Sequence, residues 1–288
     1  MSNIATHRTP ANLDPAEWCL TPLGYRRRAN VRRVPGTHRA RRRRDARWEF
    51  VEIASGRSQF LSAIAKTPLP APVDLGATGN AWASFGAIAN PGTEPFTLSE
   101  ATWVVPPKPS TNQGQTIYLF NGFQHGGDDI VQPVLVYGKY PAGPDSEAHT
   151  NGEWATASFL VPSAQSSDQT LLVSDGVVRV NPGDTVTGRI SYTGIDAATG
   201  DSQYVCEFVD YPSTRLATTI MFCGWCCVTL ELWDVDDTSQ LPPLTATTRF
   251  SGLRTEIDDK PCGLGWQQGG PWPCSSTEPA IVDVVYPT

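Results

Sequence analysis

No stretch of this 288-residue chain approaches 18 uninterrupted apolar residues, so no membrane-spanning helix is expected. Residues 1–10 lack the apolar centre of a secretory signal, and export would need another route or a different start. Helical apolar spacing is missing from the region after residue 81, which excludes a helical domain there. No Ser-His-Asp order points to a nucleophilic triad, and no glycine-rich loop suits a phosphate.

Turn formers and apolar residues are plentiful. Glycine and proline number 25 each and hydrophobic residues make up 40%, which suits many short strands around a sizeable core. Charge is divided unevenly. Residues 1–66 hold 14 Lys and Arg against 5 Asp and Glu, and the remainder holds 8 against 24. This divides the chain into a basic extension, 1–66, and an acidic β domain, 67–288. The acidic domain repels phosphate, so nucleic acid is not expected as a partner except through the arginines of residues 26–47.

In the extension, Asp14-Pro15-Ala16-Glu17 reads as a capped start of a short helix, ended by Pro22 and Gly24. The arginines of residues 26–47 repel one another, and disorder is expected unless they meet anions. Three readings stay open: a cleaved pro-segment docked on the acidic domain, an anion-binding arm of the kind jelly-roll coat proteins use for RNA, or a solvated tail. Residues 48–53 alternate as a strand, and Leu69-Pro70-Ala71-Pro72 reads as a linker.

Beyond residue 81, strand patterns alternate with turns. They lie at 101–105, 116–120 before the turn Asn121-Gly122, 130–137 broken by Pro133, and 154–161 after the turn Asn151-Gly152. Others are at 171–173, 177–180, 185–193 after Asn181-Pro182-Gly183-Asp184, 203–209, 217–222, 226–233 and 281–286. The fold class expected is all-β, a two-sheet jelly roll or concanavalin-like sandwich with a basic N-terminal extension.

The seven cysteines are 19, 206, 223, 226, 227, 262 and 274. Six crowd after residue 205, a pattern that suits either disulfides in an extracellular setting or a reduced, buried set. Among disulfides a Cys262–Cys274 bridge is favoured over zinc binding, because the spacing of that pair does not suit a zinc knuckle. His125 with Asp128 and Asp129 is a weak metal candidate, outweighed by a solvated loop. Neither a metal nor an organic cofactor is expected.

The order of motifs resembles the eqolisins, glutamic peptidases built on a curved two-sheet jelly roll. The matching pieces are Thr102-Trp103-Val104-Val105-Pro106, Phe120-Asn121-Gly122, Ile130-Val131-Gln132, the Trp154 strand ending at Pro162, Pro182-Gly183-Asp184, and Cys223 followed by a strand bearing Glu231. The resemblance covers roughly residues 96–286. It implies an acid endopeptidase in which a Glu takes a proton from water while a Gln amide stabilises the oxyanion. Gln132 and Glu231 are then the catalytic candidates, with Asn121, Trp154 and Trp233 binding substrate. On the strand 226–233, Cys227, Thr229, Glu231 and Trp233 share one face, and Cys226, Val228, Leu230 and Leu232 the other.

Two departures stand out. Counted from Cys223, the family's catalytic Glu falls nearer Val228 than Glu231. Its substrate-binding Glu falls at Phe159 or Ser158, with Glu153 as the nearest carboxylate. A relative of altered chemistry is therefore part of the expectation. The alternatives are a non-catalytic module that binds glycan or another ligand on its aromatic face, drawn from Tyr118, Trp154, Tyr192, Trp225 and Trp233, and a capsid-like protein with an RNA-binding arm. The partner expected first is a polypeptide or a glycan.

Overall fold

The computed structural model describes residues 13–61 and 82–287, except 15, 23, 44, 46, 126–128, 142–146, 163–169, 244–246, 264, 273 and 279. The linker expected at Leu69-Pro70-Ala71-Pro72 and the boundary near residue 66 lie outside the described residues. Before residue 61 the strands are β1 (Trp18–Thr21), β2 (Gly24–Arg27), β3 (Val31–Val34), β4 (His38–Arg42), β5 (Trp48–Glu52) and β6 (Ser58–Phe60). Next come β7 (Trp82–Ala89), β8 (Phe96–Val104), β9 (Thr116–Gln124), β10 (Ile130–Pro141), β11 (Glu147–Val161), β12 (Leu171–Ser174) and β13 (Val178–Val180). Then follow β14 (Thr185–Ile195), β15 (Ser202–Phe208), β16 (Tyr211–Ile220) and β17 (Trp225–Trp233). The last are β18 (Thr248–Ile257), β19 (Lys260–Pro261), β20 (Gln267–Gly269), β21 (Ser275–Glu278) and β22 (Ile281–Val284). Among the described residues the only helical turns are 3-10, at Arg28–Asn30 and Thr238–Gln240.

The strands form a two-sheet sandwich, as the composition and turn spacing lead one to expect. The first sheet runs β20-β7-β17-β9-β10-β11-β12-β3, with β13 on β11. The second runs β21-β22-β18-β8-β14-β15-β16-β4-β5-β6, with β19 on β18. Neighbours are antiparallel except at β12–β3 and β16–β4, which are parallel. Between the sheets, Trp103 packs on Phe208 and Phe250 with ring centroids 5.6 and 4.9 Å away, and Phe96 stacks on Phe123 at 5.1 Å.

The first sheet is apolar on its outer face as well. Ile130, Val134 and Val136 of β10 point there, beside Tyr118, Phe120, Phe159 and Val161, while Val131, Leu135 and Tyr137 point into the sandwich. A strand buried on both faces reads as a continuous apolar run rather than an alternation. Cys19, Leu20 and Val31 of the extension cover that outer face.

The expected disorder of the arginine run gives way to strands because the arginines meet acids. Arg41 reaches Glu49 at 2.7 Å and Asp196 at 3.6 Å, Arg42 lies 3.7 Å from Asp129, and Arg39 donates to Gln203. The helix expected from Asp14 is instead a single turn leading into β1. The Asp14 carboxylate accepts from the Ala16 amide and the Asp14 carbonyl from the Glu17 amide. Nor does Asn121-Gly122 turn: β9 continues to Gln124. A side chain at Gly122 would meet Ile130 Cδ1 at 2.9 Å, so glycine serves close packing there. At Asn151-Gly152 two left-handed residues, φ 53° and 79°, lie inside β11 rather than ending a loop. Pro133 does not break β10; it pairs with Ser158 on the β11 side, and no registered pair joins it to β9.

Opposite the Asn151-Gly152 kink, β10 slips register between Tyr137 and Lys139. Gly138 has φ 109°, and a Cβ there would lie 2.3 Å from the Gln115 carbonyl oxygen. Gly138→Ala is therefore expected to destabilise the chain by more than about 1 kcal/mol. The check is urea unfolding, with a lower midpoint at unchanged slope.

Candidate functional site

The five residues singled out from the sequence separate onto two faces of the first sheet. Gln132, Glu231 and Trp233 are on the outer face. Asn121 and Trp154 point the other way, into the sandwich, which rules out their contact with a ligand on the Gln132 face. Asn121 Nδ2 donates to Ser99 Oγ at 2.9 Å across the sheets, and Trp154 packs on Tyr137 with centroids 5.3 Å apart. The cause is the twofold period of a strand: in β11, Trp154 and Phe159 have opposite parity, so only Phe159 joins Gln132. Glu153 is paired with Lys108 at 2.6 Å.

Strand register fixes how far Gln132 is from Glu231. Val131 lies opposite Phe123 and Val134 opposite Phe120, so Gln132 is level with Gly122. Across β9, Gly122 pairs with Cys227, whereas Glu231 pairs with Tyr118, which is level with Val136. The residue facing Gln132 across β9 is thus Cys227. Glu231 is two strands over and four residues further along, roughly 16 Å away between backbones. No single water spans that distance, so the Gln132–Glu231 pair expected to activate water does not form. On the other flank of Gln132 stands Phe159.

Both candidates are fully buried. Gln132 is 0% exposed, and neither its amide nitrogen nor its amide oxygen has a hydrogen-bond partner among the described residues. Trp233 Nε1 donates to Glu231 Oε1 at 2.6 Å, which holds the carboxylate beside the indole.

What covers them is the hairpin β1–β2, in which Trp18 pairs with Arg27 and Thr21 with Gly24. Gly24, at φ 104°, brings the turn against Trp233, where a Cβ would sit 3.6 Å from the ring. Tyr25 meets Trp233 edge-on, centroids 5.9 Å apart. Arg26 is buried and donates through Nη2 to the Pro162 carbonyl at 2.7 Å. Burial lowers its guanidinium pKa to about 10, a shift opposed by the charges of Cys19, Glu231 and Asp129, so it stays cationic at neutral pH. The sequence reading placed Cys227 on the face of Glu231 and Trp233 and named Phe159 where the family carries a substrate-binding Glu; it missed Arg26 as part of this face and Cys227 as the residue level with Gln132. Pro22 and Gly24, read as helix stops, were the signal for the hairpin turn.

All seven cysteines are free, which replaces the expected Cys262–Cys274 bridge. Cys274 Sγ instead donates to the Phe85 carbonyl at 3.1 Å. Burial pushes the Cys227 thiol well above its ordinary value, away from the thiolate a nucleophile needs. The ring of His125 contacts the Phe222 carbonyl, Asp128 lies outside the described residues, and Asp129 faces Arg42. Among the described residues no group of three His, Cys, Asp or Glu has the arrangement of a metal site.

The fold and face define a two-layer β-sandwich whose outer sheet face is occupied by the chain's own N-terminal hairpin. No family model and no curated protein matches the sequence. Among solved structures the chain is similar to scytalido-glutamic peptidase with a transition state analog inhibitor, at 11% identity and TM-score 0.45, covering 72% of this chain and 98% of that one. The same peptidase with a peptide-based analog gives 11%, 0.44, 71% and 98%. SCP-B, a member of the eqolisin family in complex with the tripeptide Ala-Ile-His, gives 13%, 0.40, 71% and 98%. At these identities and scores the likeness assigns no residue a role.

Native-state alkylation is expected to modify Cys262 alone, the one cysteine that is not buried, and all seven after unfolding, with no prior reduction. Intact-mass spectrometry reads the count, and a mass two daltons low per pair would reveal bridges instead.

Proposed function

We propose that this chain is a polypeptide-binding β-sandwich, a relative of altered chemistry within the peptidase-like architecture rather than a working Gln/Glu hydrolase. The observation that carries the reading is the buried Gln132 amide, which has no hydrogen-bond partner among the described residues and lies beneath an extended segment of the chain itself. An unsatisfied buried amide costs about 1–3 kcal/mol per group, and a face meant only as core would carry an apolar residue there. An extended peptide offers an amide N–H and a carbonyl in one repeat, which suits both ends of a glutamine side chain.

The face is too apolar to stay open to water for long, so its stable states are covered ones: by the hairpin, or by another extended segment that displaces it. Glycan binding is less suited, because Tyr118, Phe120 and Phe159 form a continuous apolar layer with few polar groups between them.

Two assays test this. Unfolded casein incubated with the chain at pH 2–4 is expected to remain intact; cleavage abolished by Glu231→Gln overturns the reading and restores the hydrolase. A fluorescent peptide of residues 17–28 is expected to bind the Arg26→Ala variant, whose hairpin is loosened, and not the unaltered chain. Adding Gln132→Ala should weaken that binding about fivefold, the worth of one neutral hydrogen bond. Equal binding with and without Gln132→Ala would remove the amide from recognition.

A further inference from the structure

The extension is attached in two different ways. From β3 to β6 it is part of the backbone ladders. Leu171–Ser174 of β12 pairs in parallel with Val31–Val34 of β3, residue for residue, at the edge of the first sheet. Ala217 and Thr218 of β16 pair in parallel with Arg39 and Ala40 of β4 at the edge of the second, and β5 and β6 continue outward from it. One segment thus closes both sheets on the same side of the sandwich. Val31, Val34, Ala40 and Trp48 are buried along it. Its arginines meet Asp196 and Asp129, acids on the β14–β15 and β9–β10 connections of the sheets it joins.

The hairpin β1–β2 is different. It forms a two-stranded sheet of its own, with no ladder to either large sheet among the described residues. Side chains hold it down: Cys19 and Leu20 in the apolar layer, Tyr25 on Trp233, and Arg26 on the Pro162 carbonyl. Arg28 belongs to the hairpin, since its amide donates to the Glu17 carbonyl and its Nε to the Trp18 carbonyl. The change from one attachment to the other falls at Ala29-Asn30, in the 3-10 turn before β3.

We propose that the extension is a fixed clamp, β3–β6, carrying a detachable plug, β1–β2, that swings at Ala29-Asn30 and exposes the Gln132 face while both sheet edges stay paired. Such a clamp is an interaction surface: the edges of β12 and β16 take an arginine-rich extended strand in parallel, and their partner is this chain's own residues 31–42. The plug opens without release of the clamp, which sets it apart from a pro-segment that leaves as a whole. The proposal does not require that any peptide bind the uncovered face.

Hydrogen exchange on the intact chain, followed by mass spectrometry, separates the two parts. Amides of residues 18–27 are expected to exchange about a hundredfold faster than those of 31–34 and 39–40, because local opening frees the plug alone. Arg26→Ala should quicken exchange in 18–27 further and leave 31–40 unchanged. Exchange of residues 18–42 as one unit, in the unaltered chain or in the variant, overturns the proposal. Failure of the peptide of residues 17–28 to bind would count against the proposed function and leave this result standing.

Discussion

A sheet that is apolar on both faces needs two covers, and this requirement organises the molecule. β9 and β10 bury consecutive side chains, Ile117 to Phe123 and Ile130 to Tyr137, in alternate directions. The second sheet covers one side. The other side faces a short hairpin and the first residues of β3. Burying apolar surface stabilises by about 25 cal/mol per Å², so whatever lies on that outer face is held mainly by area, not by charge. The arginines contribute direction: Arg41 and Arg42 pair with Asp196 and Asp129 of the sandwich. Arg26 is the exception, a cation enclosed within the apolar layer, where its hydrogen bond to Pro162 and the nearby carboxylates offset part of the desolvation.

The same requirement weighs against hydrolysis. Water activation by a carboxylate needs a polar site in reach of both solvent and the second catalytic group. Glu231 is enclosed by Trp233 and by the hairpin, and the register puts a protonated thiol opposite Gln132. Removing the cover would wet the face but would not bring Glu231 closer, because the offset is built into ladders that β9 shares with β10 and β17. Displacement of the hairpin therefore changes what can bind, not which groups face one another.

Much of the fold is legible in the sequence because it rests on local signals. The alternation in 226–233 correctly puts Val228, Leu230 and Leu232 in the core and Glu231 with Trp233 on the other face. Asn181-Pro182-Gly183-Asp184 forms its turn, with Gly183 at φ 91°. The site is less legible because it depends on register between strands that are distant in sequence. Nothing in Ile130-Val131-Gln132 says which residue of 226–233 lies level with it; a shift of four residues keeps the face and changes the partner. Asn121-Gly122 illustrates the converse: a dipeptide with turn chemistry is held straight because Asn121 finds Ser99 across the sandwich and Gly122 makes room for Ile130.

The extension was misread for a physical reason as well. A run of arginines is self-repelling only while its counter-charges are unknown; Glu49 is local, but Asp129 and Asp196 come from loops distant in the sequence. Disorder inferred from composition is a statement about a segment by itself. Parallel pairing also leaves a weak signature: the four-residue strand Val31–Val34 has apolar ends buried on opposite faces and charged middle residues, so it shows neither an alternation nor an apolar run. Edge strands left bare invite pairing with other chains, so a clamp that occupies both β12 and β16 blocks two such edges at once. That service alone is reason for residues 31–60 to remain in place, whatever becomes of the hairpin ahead of them.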